Sequence, residues 1–504
     1  MSRIIKNYVS RYVIPFYFDH EDDGYNKIIK KFIENKKFKE LGLPKDCSWV
    51  KTGFWENYKF DSSIHVEMDI YAYLLEILRD EDEINGCNLG VSYVLKTNGS
   101  LLNLQYVNDN FKDRLDFKCN DLGVIFFKNG IGIIWYDIKF AKEISIDDYI
   151  DFQYDFKELA RTNSDKFRKK IGKEQYDIFC VGEWIERLFN ATNLGMKFWA
   201  ERKTHNGSVG HEVCIPDKSL MFQYMFIDAS EEQECMELAF RVANGYDKKY
   251  NLPSTLNNET YEPFGNVCFY TSRAGTAYVV SDNESNTKFF KENFKGKYIR
   301  DYFFIYVLLL YQTYSSAHYS RLLTKIPADI KELESDKKNL ELLERVNDQI
   351  NLFLVKSTYE SVSNIQHQNG TYIYGKKALR IDKDMKSLTV GLEALRGIEV
   401  ERQKQIDRYA QIQSEKREKQ QRESLEQKEK EEQNFLEQKN RALNIAVVIF
   451  GFLAVFSVSI DALNLVDWFK EHNMQREHVM SLLFIAVLTV FMFIALITSM
   501  RKKK

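Results

Sequence analysis

The sequence predicts an α+β cytosolic domain followed by a long helical stalk and two C-terminal transmembrane helices. Two apolar spans without a charged residue close the chain, at Ala442–Ile460 and Val479–Met500. Each approaches or exceeds the roughly 20 residues that a helix needs to cross a hydrocarbon core. A charged, proline-free segment leads into the first span. All six prolines and all seven cysteines lie before residue 328, which is typical of a mixed domain with turns.

The predicted layout starts with residues 1–300, a cytosolic α+β sensor region with an optional division into two subdomains near 150–195. The following segments are a helical core segment (301–383), a stalk helix (384–441), the first span (442–460), an outer loop (461–478), the second span (479–500) and a basic tail (501–504).

The front of the chain begins with a strand at Tyr12–Phe18, which Pro15 places at the edge of a sheet because proline cannot donate a ladder hydrogen bond. Tyr25–Leu41 and His65–Leu78 carry apolar residues at helical spacing. A second set of strands is predicted beyond a helical break at 146–195. Its members are 213–216, 220–228, 267–271 and 277–281.

Two hairpins are predicted from their turn residues. The first joins 91–96 to 101–107 through the turn at 97–100. The second joins 124–127 to 131–140 through Asn129 and Gly130, and it is the stronger signal because both residues tolerate positive φ.

The back of the chain is predicted to be helical. Tyr302–Tyr311 is apolar but only ten residues long and soon polar, which favours a buried core helix over a membrane span; helix continues over 330–362. The long helix is expected from Asp384. Six residues near heptad spacing predict helix–helix packing at its start: Met385, Leu388, Leu392, Leu395, Ile406 and Tyr409.

Charge patterning within the long helix predicts a solvated stalk. Residues 414–434 contain 13 charged side chains in 21 and a single aliphatic one, Leu425. Such a segment cannot bury a face, so Glu/Lys pairs one turn apart would support it.

The basic residues predict the orientation in the membrane. Residues 501–504 are all Arg or Lys, whereas the loop 461–478 contains only two. By the positive-inside rule both termini are cytoplasmic and the loop faces out. The membrane is expected to be a bacterial inner membrane. No apolar stretch near the beginning of the chain resembles a signal peptide, so insertion is expected through the two C-terminal spans. The net charge of −2 gives no basic field for direct nucleic-acid binding.

This plan resembles the CorA family of two-span divalent-cation channels over about residues 300–504. The long helix, the short loop, the second span and the basic tail follow in the family's order. The family's Gly-Met-Asn signature corresponds here to Ala462, Leu463 and Asn464, of which only the asparagine matches. The resemblance implies a homo-oligomer, a pentamer, in the lipid bilayer. It also implies Mg²⁺ or another divalent cation as the permeant ion, while the departure from the signature argues against a selective Mg²⁺ filter.

The large front region is similar to the CorA subgroup associated with type III CRISPR loci. That resemblance implies an antiviral membrane effector, not an enzyme, gated by a nucleotide second messenger such as an adenylated S-adenosylmethionine. The rival hypotheses are a constitutive Mg²⁺ or divalent-cation transporter, a membrane-tethered metal-dependent hydrolase and a passive scaffold.

Polar residues of the first span and its outer end are the candidates for the ion pathway. Asn464 is the preferred pore residue, with Leu463 and Ala462 beside it. Asp461 either forms an acidic ring at the outer mouth or ends the span at the interface. Asn444 either faces the pore or lies at the interface, and on a straight helix it points about 200° away from Asn464.

Two loops are candidates for ligand binding, because basic residues beside glycines and hydroxyls can hold phosphates. Both also fit ordinary strand connections. Their candidate residues are Arg202, Lys203, His205 and Asn206 in the first loop and Ser272 and Arg273 in the second.

An acid-x-Lys pattern supports the hydrolase hypothesis. It occurs as Asp137-Ile138-Lys139, with Asp121 upstream, and again at Glu201–Lys203. In metal-dependent nucleases the carboxylate holds Mg²⁺ and the lysine steadies the nucleophile. Alternating charge at the end of a strand explains the same pattern. No metal site is assigned.

Overall fold

The computed structural model describes most of the chain, and it falls into two compact units, Met1–Glu399 and Val400–Lys504. The described residues are 4–18, 24–34, 38, 43–51, 74, 89–107, 114–159, 165–171, 175–190, 195–198, 212–228, 232–247, 249–282, 288–327 and 337–471, together with part of 477–495.

The first unit is built on one mixed sheet, which contains fourteen strands among the described residues. The strands are β1 Asn7–Tyr17, β2 Ser48–Lys51, β3 Gly90–Lys96, β4 Leu102–Tyr106, β5 Leu115–Phe127, β6 Ile131–Phe140, β7 Phe167–Lys170, β8 Tyr176–Ile178, β9 Gly195–Phe198, β10 Glu212–Ile215, β11 Leu220–Ile227, β12 Tyr261–Phe264, β13 Val267–Ser272 and β14 Gly275–Ser281.

Ten of these strands follow the order β12-β13-β14-β11-β1-β6-β5-β4-β7-β8. In addition, β3 pairs with β2 and β5, and β10 pairs with β1 and β9. The pairs β11–β14 and β9–β10 are parallel. The α+β fold predicted for the front of the chain is therefore confirmed.

Helices cover both faces of the sheet. They are α1 Gly24–Ile33, α2 Ile146–Phe156, α3 Val181–Asn190, α4 Glu232–Asn244, α5 Leu256–Glu259, α6 Lys295–Lys297, α7 Phe303–Leu323, α8 Lys337–Ser357, α9 Gln366–Leu379 and α10 Ile381–Glu471. One core contains buried residues of α1 to α4, and the other contains those of α7, α8, α9 and the start of α10. The sheet thus lies between two helical layers, because both of its faces are apolar.

Strand β1 is central, so the prediction that Pro15 marks a sheet edge is wrong. On one side β6 pairs along the strand, with Pro15 opposite Ile133. On the other side β11 pairs with residues 7–13 and β10 with Tyr17. Pro15 lies between these two partners, where its missing N–H interrupts neither ladder.

Of the two predicted hairpins, one is confirmed. β5 and β6 pair through the turn at Asn129 and Gly130, and Gly130 has φ +80°. The hairpin predicted between 91–96 and 101–107 is wrong, because β3 and β4 do not pair with each other. Both instead pair with β5, β3 along residues 122–127 and β4 along 115–119. Residues 97–100 favour a turn, but a turn does not determine which strands pair. Strand β5 has thirteen residues, which is long enough to pair with both β3 and β4.

The optional division near 150–195 does not separate two subdomains. Strand β1 at the front of the chain pairs directly with β11, which follows that region. The second set of strands, predicted at 213–216, 220–228, 267–271 and 277–281, forms as β10, β11, β13 and β14. Of the predicted helices, α1 is confirmed over Gly24–Ile33, whereas 65–78 lies outside the described residues except for Leu74.

The predicted core helix forms as α7, and the whole apolar run Tyr302–Tyr311 is buried. Two π-helical segments, Phe289–Phe294 and Tyr298–Tyr302, precede it. The helix predicted at 330–362 is observed as α8, Lys337–Ser357.

The long helix α10 starts at Ile381, after Arg380 adopts a left-handed conformation with φ 62°. Met385, Leu388, Leu392 and Leu395 are buried, so the first part of the predicted heptad packing is confirmed. Ile406 and Tyr409 are exposed, and so is every residue of the charged segment 414–434.

The first residues of the predicted outer loop are helical, because α10 continues without a break through Glu471; the boundary of the first span at 461 stays a prediction. Among the described residues one helix is long and apolar enough to cross a membrane, over Ile381–Asp461 with a mean hydropathy of 2.5 in its most apolar stretch. That stretch is not buried by the protein. The part of the second span that is described includes a shorter apolar helix, Leu483–Met492.

Candidate functional site

Charged side chains from three adjacent strands meet on the sheet face that α7 covers. Arg11 of β1 pairs in register with Asp137 of β6. Asp121 lies in the irregular part of β5, between Cys119 and Leu122, where the register with β6 shifts. An irregularity of this kind commonly re-aims a side chain. Here it brings Asp121 near Asp137 and Arg11.

Arg11 is completely buried and forms a bidentate ion pair with Asp137. Its Nε lies 2.6 Å from Asp137 Oδ1, and its Nη2 lies 2.7 Å from Oδ2. Its Nη1 donates to the carbonyl of Ile299 at 3.4 Å. The parallel geometry makes this a strong charge-assisted pair, and it occupies both oxygens of the carboxylate.

Two aromatic rings enclose the Arg11 guanidinium. Its central carbon lies 4.1 Å from the centroid of Trp135 and 4.2 Å from that of Phe303. The indole of Trp135 also covers Gly123, whose missing Cβ would lie 2.3 Å from the ring. Residue 123 is therefore glycine because of this close approach, and the Arg11 contact and the Gly123 contact together cover much of the indole.

A cavity of about 280 Å³ opens beside this cluster. Asp46 fixes the loop at its rim, accepting from the N–H of Asn98 at 3.0 Å and from the hydroxyl of Thr97 at 3.4 Å. The cavity is lined by Arg11, Ser92, Val94, Leu95, Lys96, Thr97, Gly99, Asn120, Asp121, Trp135 and Phe303. Its walls are partly apolar and partly polar, which is typical of a small-molecule site.

Asp121 is the titratable group of this cavity. Asp121 is exposed as a residue, whereas the protein around its carboxyl removes enough water to raise the pKa of that carboxyl to about 6. The Asp137 carboxylate raises the pKa further, and the Arg11 guanidinium opposes the rise. Perturbed groups in clefts mark candidate functional sites.

We expect Asp121→Asn to raise the melting temperature of the full-length protein at pH 7 and to leave it unchanged near pH 4. Because the pKa of this carboxyl is raised in the folded state, the folded protein retains a proton that the unfolded chain has lost between about pH 4 and 6. Stability therefore falls as pH rises through this window, and asparagine removes the loss.

Circular dichroism melts from pH 4 to 8 measure this effect, and Glu143→Gln, at an exposed carboxylate, is the matched control. Parallel profiles for Asp121→Asn and the wild type would show that the carboxyl is not destabilising.

Of the two predicted ligand loops, the one that the structure describes does not line this cavity. Ser272 and Arg273 lie at the β13–β14 turn, where the Ser272 hydroxyl accepts from the N–H of Ala274 at 3.1 Å; Arg273 is exposed. Neither residue lines the cavity. Arg202, Lys203, His205 and Asn206 lie outside the described residues, as does the Glu201–Lys203 pattern.

The predicted pore residues all lie on α10. Asn444, Asp461 and Asn464 are exposed. The backbone of Ala462 and Leu463 is helical rather than looped.

The structure brings together the two carboxylates of the acid-x-Lys pattern but does not arrange them as in a metal-dependent nuclease. Asp121 and Asp137 are neighbours, as the hydrolase hypothesis requires, but Arg11 binds both Asp137 oxygens. Lys139 is exposed. Among the described residues there is no group of three or more His, Cys, Asp or Glu that could hold a metal ion.

Sequence reasoning missed Arg11, Trp135 and Phe303. The available signal was a single charged residue, Arg11, inside the otherwise uncharged strand β1. A charge at such a position needs a partner, since an unpaired buried ion is costly. Its partner Asp137 lies 126 residues away, which no local pattern reveals.

Comparison of the chain with protein-family models, with curated proteins and with solved structures gave no significant match in any of the three.

Proposed function

We propose that the chain is a homo-oligomeric bacterial membrane effector of the CorA type, in which a small nucleotide ligand bound by the α+β unit changes the arrangement of the membrane spans. One observation carries this proposal. A single helix, α10, belongs at its start to the layer that packs against α7, and contains further along an exposed apolar segment of membrane length.

The cavity is connected to α10 by packed elements of the first unit. Phe303, a wall of the cavity, is the first residue of α7. Further along α7, the Gln312 amide donates to the carbonyl of Ser357 at 2.5 Å and to the hydroxyl of Tyr372 at 2.9 Å. These bonds tie α7 to the end of α8 and to α9. A change at the Phe303 end can therefore reach the elements that hold the start of α10.

The corner before α10 is a position where such a change could act. Arg380 alone separates α9 from α10, and Lys376 of α9 forms an ion pair of 2.7 Å with Asp382 of α10. Ligand binding would shift the state of the spans only if the ligand binds the two arrangements with different affinity. The segment 414–434 is exposed and has no buried face, so we propose it as a weak element of the helix.

The proposed pore residues are the ones that the sequence analysis predicts. Asn464, with Asp461, Ala462 and Leu463 around it, would line the outer end of the path, and a divalent cation is the proposed permeant ion. Asn444 would lie nearer the cytoplasmic face.

A membrane-tethered hydrolase is less favoured by the site, because both oxygens of Asp137 bind Arg11. A constitutive transporter would not need the cavity beside Asp121.

The test is ion flux from liposomes containing the purified full-length protein. We expect divalent-cation or other ion flux to start on addition of an adenosine-based second messenger, including the S-adenosylmethionine conjugate, on the cytosolic side. Asn464→Ala should alter ion selectivity and leave ligand binding unchanged. Flux without ligand would favour the transporter, and no flux under any condition would favour a scaffold.

A further inference from the structure

A second cavity, of about 300 Å³, opens at the corner where α9 is followed by α10. Its walls come from four helices of the first unit: α7, the end of α8, α9 and the first turns of α10. A ligand bound here would therefore contact α10 together with three helices of the layer in which α10 starts. The lining residues are Gln312, Leu354, Thr358, Lys376, Ile381, Asp382, Met385, Lys386 and Thr389.

Lys376 is the positive charge that the protein holds in place at this cavity. Its side chain is 15% exposed. Its Nζ lies 2.7 Å from Asp382 Oδ1 and donates to the carbonyl of Tyr359 at 3.4 Å. The same ammonium lies 5.6 Å from the centroid of the Tyr372 ring. An ammonium has three N–H donors, so these two oxygens leave one donor for a ligand.

Asp382 is the partner that a ligand can replace. Its side chain is 75% exposed, in contrast to that of Lys376. When released from the lysine, the carboxylate stays hydrated, so little is lost when the pair breaks, as for other ion pairs open to water. The ammonium is held by Tyr359 and Tyr372 as well. An anion that enters the cavity therefore displaces Asp382 and leaves Lys376 in place.

The remaining polar walls favour a charged group on the ligand over a neutral one. Both amide N–H groups of Gln312 donate within the protein, and the hydroxyls of Thr358 and Thr389 donate to carbonyls four residues earlier. The charged lining residues are two lysines and one aspartate, which leaves one positive charge in excess. Lys386 is exposed, so water screens its charge. Selection for an anion therefore depends mainly on Lys376.

One side of the cavity is apolar. It is formed by Leu354, Ile381 and Met385, of which the last two are buried residues at the start of α10. A ligand with a short apolar chain would remove both its own surface and that of these side chains from water. The cavity therefore fits a molecule that carries an anionic group at one end and an apolar chain at the other.

We propose that this cavity binds a small organic anion, whose charged group replaces Asp382 beside Lys376 and whose apolar chain lies against Leu354, Ile381 and Met385. The displaced ion pair connects α9 to α10 across Arg380, so a bound anion removes a bond that holds this corner. The site is separate from the cavity beside Arg11, and the proposal goes beyond the proposed function without depending on it.

Four probes separate the charge from the apolar contact. Hexanoate carries a carboxylate on a short apolar chain, hexanamide is its neutral analogue, hexylamine reverses the charge, and acetate lacks the chain. Binding to the full-length protein in detergent is measured by calorimetry at pH 7.5, with detergent alone as the blank. We expect hexanoate to bind about tenfold more tightly than any of the other three.

Variants assign the charge contact to residues. Lys376→Met should remove the preference for hexanoate over hexanamide, whereas Lys377→Met, at an exposed lysine outside the cavity, should retain it. Asp382→Asn should strengthen hexanoate binding by up to about fivefold, because no carboxylate then competes for the lysine. Asp384→Asn removes the same charge from the same turn of α10 without altering the cavity lining, and should leave the affinity unchanged. A melt of each variant shows that it is folded.

The proposal is overturned if the wild type does not bind hexanoate, binds hexanamide equally well, or keeps its preference after Lys376→Met. It is also overturned if Asp382→Asn brings no gain in affinity over Asp384→Asn, since a purely structural ion pair would give none. These measurements involve no ion flux. A failure of nucleotide-triggered flux would therefore leave the anion site standing, and a failure to bind hexanoate would leave the proposed function untouched.

Discussion

Arg11→Met should lower the free energy of unfolding of the full-length protein by about 3–5 kcal/mol, the usual loss when one partner of a buried ion pair is removed. The guanidinium is fully buried and contacts the Asp137 carboxylate, the Ile299 carbonyl and two aromatic rings. Methionine fills much of the space but leaves Asp137 without its cation beside Asp121. Chemical denaturation followed by circular dichroism measures the change.

A matched control is Arg187→Met on α3. Arg187 is 67% exposed at its side chain and forms only a 3.9 Å pair with Glu183, so its loss should be about 0–1 kcal/mol. The double variant Arg11→Met/Asp137→Leu should recover much of the stability, because it removes the stranded charge together with its partner. Equal losses for the two arginine variants would contradict the view that this ion pair organises the site.

Leu453→Arg should prevent the first span from inserting into the membrane. Leu453 lies in the middle of the apolar segment and is 59% exposed. An arginine at the centre of a spanning helix is disfavoured by about 3 kcal/mol on insertion scales, more than a hundredfold in the equilibrium. Leu425→Arg is the control, since Leu425 is 60% exposed but lies in the charged segment.

A cysteine introduced as Leu465→Cys reports on insertion in intact cells. The residue is exposed, and the native cysteines within the described part of the chain are buried. A maleimide that cannot cross the membrane should label Leu465→Cys and its Leu425→Arg combination, but not the combination with Leu453→Arg. Labelling of all three would place residue 465 outside the membrane regardless of the charge at 453, and lack of labelling in all would overturn the predicted orientation.

Local patterns predicted the elements but not how they combine. The Asn129–Gly130 turn was readable because its residues fix a hairpin by themselves. The pairing of both β3 and β4 with β5 could not be predicted from the sequence. It depends on β5 being thirteen residues long and on the irregularity in its middle. Pro15 was wrongly placed at a sheet edge because the sequence of β1 does not reveal where its neighbouring strands end. In the structure β11 pairs with residues up to 13 and β10 pairs with Tyr17, so no hydrogen bond from residue 15 is needed.

Only the part of the candidate site that is formed by residues close in sequence could be predicted. Asp121 and Asp137 were noticed through the acid-x-Lys pattern, and a hairpin brings them together locally. The role of Asp137 depends on Arg11, which is distant in the sequence and carries no motif. The helix continues beyond 461 because the end of an apolar run does not end a helix, and residues 461–471 contain no proline or glycine.

The two π-helical segments before α7, Phe289–Phe294 and Tyr298–Tyr302, contain more residues than α-helical turns of the same number would. A π-helical ring closes from residue i to i+5, so it holds one residue more than an α-helical ring. Removing a single exposed residue such as Glu292 could be absorbed by a return to α-helical winding, whereas the same deletion within α7 would rotate every later side chain by about 100° and misplace its buried face. Between Phe289 and Tyr302 the chain can therefore change its length at little cost to its packing, and natural variation in the number of residues should concentrate there rather than in the helix that follows.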